Sequence, residues 1–261
     1  TSVTKADGNA AFVASPVKAL ADYVHGKGLK FGIYEDRGHS TCMKLPGSFG
    51  HEQPDMNLFA QWGVDYLKLD SCYAEINGRL STDDYAVYRD CIINTGRPMI
   101  LSMANYTDPS WAWGGGQIGH LWRTSYDIGP SMGSVYYCAD TDAGDLVIHP
   151  AFNGLWQFAG PGRWNDPDML EVGNPGLSPA ESRAHFSLWC MLAAPLMAGN
   201  DVRKMPDETR DIAALRREVE FPPFRFVVVP EHVCRHRVEP HRPHQGGLAR
   251  HVRAGDHHRR P

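Results

Sequence analysis

Nowhere in the 261 residues is there a run approaching the roughly 20 apolar residues that a membrane-spanning helix needs. A membrane partner is therefore not expected. Positive charge is not in excess either: the formal net charge is −4, which gives no reason to propose a nucleic acid partner. There is no GxGxxG after the first predicted strand, the turn by which an open doubly wound sheet grips a dinucleotide. The six cysteines are few, and the His-rich stretch VCRHRVEPHRPHQGG around Cys234 lacks zinc-ligand spacing on both sides. The opening TSVTKADGNAAFVASP has no basic-then-apolar signal pattern. What remains is an ordinary globular composition, 42% hydrophobic and 21% charged.

Charge is unevenly spread. From Pro222 to Pro261 there are eight Arg and no Lys against Glu231, Glu239 and Asp256, a net of +5 that leaves −9 on the rest. Two compositions thus meet near Phe221. Residues 1–221 are read as one catalytic unit and 222–261 as an irregular basic tail. The tail's Arg, Pro, His and Gly are what a GC-rich coding region yields when read out of frame; a disordered basic tail is the alternative.

From Pro16 to about Arg203 helical and strand patterns alternate. VKALADYVHGKG carries Val17, Leu20, Tyr23 and Val24 at helical spacing, with Gly28 as a stop. PDMNLFAQWGVD, YAVYRDCIINTG and ESRAHFSLWCMLAA are further helices. LKFGIYEDRG, VDYLKLDSC, PMILSMAN, LWRTSYD, RWNDPDML and APLMAGND each contain a short apolar strand. Such alternation predicts a parallel sheet covered by helices. The strands end in polar clusters: Tyr34-Glu35-Asp36, Lys68 with Asp70, Arg123 to Asp127, Asp166 to Asp168, and Asn200-Asp201. In a (β/α)₈ barrel the site lies at the C-terminal ends of the strands, so the repetition favours that fold, and a site, over an open sheet. Taken singly, any of these Asp residues reads equally well as a helix N-cap.

GIYEDRG, PGSFGHE, WGVDYLKLDSCY, WRTSYDI, AGPGRWNDPDML and APLMAGNDVR closely resemble, in order and spacing, the motifs of glycoside hydrolase family 27, from about Pro16 to about Ile212. That family contains α-galactosidases and α-N-acetylgalactosaminidases. The resemblance implies that Asp70 is a nucleophile and Asp127 a general acid/base. Lys68, Arg123 and Asp168 match residues of its sugar pocket, and Tyr34 an aromatic beside the sugar. It further implies a disulfide between Cys42 and Cys72, and with it a secreted or otherwise oxidising setting. Cys91, Cys138, Cys190 and Cys234 carry no pairing signal.

The chemistry explains the two carboxylates. A glycosidic bond breaks through an oxocarbenium-like transition state, and a retaining enzyme sets a nucleophilic carboxylate about 5–5.5 Å from the acid. Lys68, two residues before Asp70 on one strand, projects to the same side and favours its charged form. Arg123, four residues before Asp127, offers a fork of donors to sugar hydroxyls. No metal or organic cofactor is needed.

Three departures from the family qualify the expectation. In SMANYTD, Asn105 and Tyr106 align with a Glu followed by Trp in many members, and Ala104 replaces a cysteine. That Glu reads the sugar's 2-position, so choice among a 2-hydroxyl, a 2-acetamido group and a pentose stays open. Nothing matches the family's first two strands, leaving about six of eight, an incomplete barrel. After Ile212 the match fades, and the family's C-terminal β-domain has no counterpart.

The expected function is a retaining exo-glycosidase acting on terminal α-D-galactosides of oligosaccharides or glycoconjugates. The alternatives are an α-N-acetylgalactosaminidase or β-L-arabinopyranosidase of the same family, an inactive fragment, or a non-catalytic sugar-binding barrel. Retention of both Asp70 and Asp127 speaks against the last.

Overall fold

The computed structural model describes residues 16–105, 109–114, 116–143 and 154–214. The basic tail, with Cys234, and Tyr106 lie outside the described residues. Five strands form one parallel sheet: β1 (Gly32–Asp36), β2 (Tyr66–Asp70), β3 (Ile100–Met103), β4 (Leu121–Arg123) and β5 (Trp164–Asp166). The helices are α1 (Pro16–Gly26), α2 (Glu52–Trp62), α3 (Ser81–Asn94), the single turn α4 (Ser110–Trp113), α5 (Met132–Ala143), α6 (Pro179–Met191) and α7 (Asp207–Ala214). No described helix is long and apolar enough to cross a membrane.

Strand order in space is strand order in sequence, β1-β2-β3-β4-β5. A doubly wound sheet reverses its order at a switch point. An unbroken sequential order with helical returns is an arc of a (β/α)₈ barrel, as expected.

Register decides which side chains share a face. Tyr34 pairs with Lys68 and Asp36 with Asp70; Lys68 pairs with Ser102, and Arg123 with Asp166. Alternation along each strand then puts Tyr34, Asp36, Lys68, Asp70, Ser102, Arg123 and Asp166 on one face. On the other, Leu67, Leu69, Leu101, Met103 and Trp122 pack on Met56 and Phe59 of α2 and on Tyr85, Tyr88 and Ile92 of α3. Burying such side chains is worth roughly 1.5–3 kcal/mol each, which pins the register: a slip of one residue would turn the apolar set onto the polar face. A second cluster joins Val135, Cys138 and Ala139 of α5, Phe186 and Trp189 of α6, and Ile212 of α7.

The helix boundaries follow local chemistry. α6 begins in a capping box: the Ser178 hydroxyl accepts from Glu181 N, and the Glu181 carboxylate accepts from Ser178 N. Pro179 sits in its first turn, where no N–H is needed. After α3, Gly96 takes φ +71°, the left-handed conformation that glycine adopts without steric cost.

One element differs from the sequence reading. APLMAGND does not extend into a sixth strand among the described residues; it is held by a single parallel bridge, Leu170 to Ala198. The cause lies in its partner. RWNDPDML supplies β5 only to Asp166, because Pro167 has no N–H for a ladder and Asp168 turns to φ +85°.

A buried acid makes stability pH-dependent. Asp142, at the end of α5, is removed from water, and burial pushes its carboxyl up to about 7 against the pull of the Thr124 hydroxyl. Below its ordinary value of 3.8 the group is protonated folded or unfolded. As pH rises from there through 7, the unfolded chain ionises first and the fold loses stability. Asp142→Asn removes the penalty. The variant should melt with the parent at pH 4 and well above it at pH 8, a gain of about 2–4 kcal/mol. Calorimetry at both pH values checks it; an equal shift at each would refute the linkage.

Candidate active site

The C-terminal ends of four strands carry Asp36, Asp70, Arg123 and Asp166 on one face. Asp70 closes β2. Its Oδ1 accepts from Ser71 N at 2.8 Å and its Oδ2 from the Tyr34 hydroxyl at 2.8 Å. Partial burial, then that hydrogen bond to Asp70, push the Tyr34 phenol up from its ordinary value, so it remains a donor. Tyr34 is 44% exposed, at the mouth rather than in the core.

Asp127 lies in the loop after β4. Arg123 Nη1 donates to its Oδ1 at 3.0 Å, while its side chain is 83% exposed to solvent. Arg123 itself is 3% exposed. Burial works against its charge, yet Asp168, Asp166 and Asp127 outweigh it and hold the guanidinium above its usual value.

Asp168 ties the strands together. Its Oδ2 meets Arg123 Nη2 at 3.0 Å and Ile128 N at 3.0 Å. Its Oδ1 accepts from Met169 N at 2.8 Å and lies 3.8 Å from Lys68 Nζ. A continuous series of ion pairs, Lys68–Asp168–Arg123–Asp127, therefore runs from the strand that bears Asp70 to the loop that bears Asp127. Its buried middle is poorly screened by salt, and the pairing offsets the cost of desolvation. A non-glycine residue at positive φ is strained unless its surroundings fix it, and here the Trp189 indole also donates to the Asp168 carbonyl at 2.7 Å.

Asn105, after β3, is buried, and its Nδ2 donates to Ser81 Oγ at 3.2 Å. Ser81 in turn accepts from Arg37, whose Nη1 makes a buried pair with Asp84 at 2.7 Å. Asp201, from the last polar cluster, caps a 3₁₀ turn by accepting from Arg203 N and does not join the others.

The Cys42–Cys72 disulfide is present and links the loops after β1 and β2, an arrangement that fits an oxidising compartment. Cys91 and Cys138 are buried free thiols. Among the described residues, the one group of side chains close enough to hold a metal is Cys42, Asp70 and Cys72, and its two sulfurs are bonded to each other. The loops pack without slack. A Cβ added to Gly38 would lie 2.0 Å from the Cys72 carbonyl oxygen, so only glycine fits there.

Two acids escaped the sequence reading as individuals. Asp166 is buried, and burial raises its carboxyl against the pull of Arg123 and Lys68. Asp36, wholly enclosed, accepts from Gly38 N at 2.7 Å and Cys72 N at 2.9 Å. The signal for both was their place at the ends of apolar strands.

Comparison with known proteins bears on the whole arrangement. A family model described as Alpha galactosidase A matches residues 4–219. The chain is 49% identical over 201 residues to an alpha-galactosidase A from Cellvibrio japonicus, covering 76% of this chain and 48% of that protein. It is 46% identical over 200 residues to an alpha-galactosidase from Oryza sativa subsp. japonica, covering 76% and 45%. The chain thus spans about half the length of the curated relatives it matches. Among solved structures it is similar to an α-galactosidase from Saccharomyces cerevisiae determined with raffinose, at TM-score 0.61 and 32% identity over 75% of this chain and 47% of that one.

Proposed function

The chain belongs to the alpha galactosidase A family, and on that premise we propose that the protein containing it is a retaining exo-glycosidase that releases terminal α-D-galactose from oligosaccharides or glycoconjugates. The observation that carries this reading is the meeting of Asp70, held by Tyr34 and Ser71, with the Lys68–Asp168–Arg123–Asp127 series at one end of a parallel sheet. Asp70 attacks the anomeric carbon as the glycosidic bond breaks, giving a glycosyl-aspartate. Asp127 gives its proton to the leaving oxygen, then takes one from the water that releases the sugar. Arg123, fixed by Asp168, orients Asp127 beside the sugar. The setting is a secreted or otherwise oxidising one, a reading that the Cys42–Cys72 disulfide supports. Two displacements restore the starting configuration. NMR of the first product from an α-galactoside should therefore show α-galactose ahead of β; initial inversion would remove Asp70 from its role.

Substrate choice rests on the same site. Both relatives and the raffinose-bound enzyme bear the name α-galactosidase, which favours a 2-hydroxyl over a 2-acetamido sugar. The role given to Asn105 adds a test. Asn105→Glu should raise kcat/KM for α-galactosides relative to 2-acetamido sugars by about tenfold, worth about 1.4 kcal/mol. An unchanged ratio would show that this loop does not read the 2-substituent.

A further inference from the structure

Asp36 belongs to the GIYED motif, yet the mechanism above gives it no task. It closes β1 directly opposite Asp70, its register partner. It is 0% exposed. Its two oxygens are divided between two loops. Oδ1 takes the N–H of Gly38, a local turn of the kind Asp often makes. Oδ2 takes the N–H of Cys72, 36 residues away and two residues past Asp70. The exchange is reciprocal, since Arg37 N donates to the Asp70 carbonyl at 3.0 Å; Ser48 N, from the loop after β1, holds the Asp36 carbonyl at 2.9 Å.

A turn alone does not call for this residue. Asn would cap Gly38 as well and would not place a second carboxylate beside Asp70. Asp36 bears a cost for being an acid here: burial, together with the charge of Asp70, raises its carboxyl to about 6 despite the two N–H donors. What an acid offers that an amide does not is two acceptor oxygens, one for each loop. Ser71 N, which holds Asp70 Oδ1, lies between the anchored Cys72 N and Asp70 itself. The segment that orients the attacking carboxylate is therefore gripped from the end of the neighbouring strand, and the Cys42–Cys72 disulfide ties it covalently to the loop that follows that strand.

We propose that Asp36 is a positioning residue for Asp70: by accepting the Cys72 and Gly38 amides together it holds the 70–72 turn so that the Asp70 carboxylate meets the anomeric carbon in line. It touches no sugar. The inference rests on the retaining-hydrolase reading and adds to it a residue that acts through the backbone.

The test uses the complete gene product and aryl α-galactosides of graded leaving-group acidity, with kcat taken per active site titrated by its burst. Asp36→Asn sets an amide NH₂ against one backbone N–H and frees the turn. Displacement of a nucleophile by an ångström costs on the order of 100-fold. The expected result is a kcat down about 100-fold, equally for good and poor leaving groups, with galactose binding by calorimetry unchanged and no new free thiol. A defect at the acid would instead grow with poorer leaving groups. Asp36→Glu keeps two oxygens but shifts them by a methylene, and should lie between. A folded Asp36→Asn or Asp36→Glu protein with parental kcat overturns the inference and leaves the hydrolase reading intact. Loss of galactose binding in both variants makes Asp36 a residue of the fold alone and also overturns it. A parent that binds galactose and turns over no galactoside brings down both.

Discussion

Asp70→Asn is expected to abolish turnover of α-galactosides, by on the order of 10⁴-fold or more, because an amide cannot form the glycosyl-ester intermediate. The substitution is nearly isosteric, and Ser71 N still finds an acceptor in the side-chain carbonyl. Galactose binding and the melting temperature should therefore stay close to those of the parent. The loss is chemical, and a smaller, diffusible anion should replace it. In Asp70→Gly, azide should attack an activated α-galactoside directly and give the β-galactosyl azide, the product of one displacement instead of two. Hydrolysis surviving in Asp70→Asn, or an azide product of α configuration from Asp70→Gly, would place the nucleophile elsewhere.

Asp127→Asn is expected to separate substrates by how much they need a proton. Galactosides of sugars such as raffinose, whose leaving oxygen is strongly basic, should lose about 10²–10⁴-fold. Aryl galactosides with an acidic phenol need little protonation and should form the glycosyl-enzyme at close to the parental rate. They should then stall, since no base is left to activate water. A burst of phenol followed by a slow steady state is the expected trace. Azide, which needs no base, should relieve the stall and yield α-galactosyl azide. The exposure of Asp127 allows such a nucleophile to arrive from solvent. Equal losses on the two kinds of substrate, with no burst, would count against Asp127 as acid and base.

Much of the architecture was legible in the sequence. Leu67, Leu69, Leu101 and Met103 sit on apolar strands, and their burial against α2 and α3 follows from period-two alternation. The polar strand ends at Asp36, Asp70, Arg123 and Asp166 are equally plain in one dimension. What sequence could not supply was the division of labour among them. The resemblance puts Asp168 in the sugar pocket; that both its oxygens are engaged, by Arg123, Lys68 and two backbone amides, is a fact of three elements meeting. Asn105 is hydrogen-bonded to Ser81 on α3, a contact no spacing rule anticipates. The single-bridge ending of APLMAGND escaped because its cause, the turn at Pro167-Asp168, lies in another segment. α5 was missed altogether: MGSVYYCADTDA mixes glycine, β-branched and acidic residues, and is helical through its contact with α6.

The carboxylates of Asp168 and Asp36 each take donors from more than one part of the chain, whereas the Asp127 side chain stands largely in water. Substitution falls differently on the two kinds of surroundings. At a fully engaged carboxylate it strands several donors at once, so the fold itself resists change there. On an exposed loop, away from the residues given a chemical task, it strands few, and variation can accumulate at little cost to the fold.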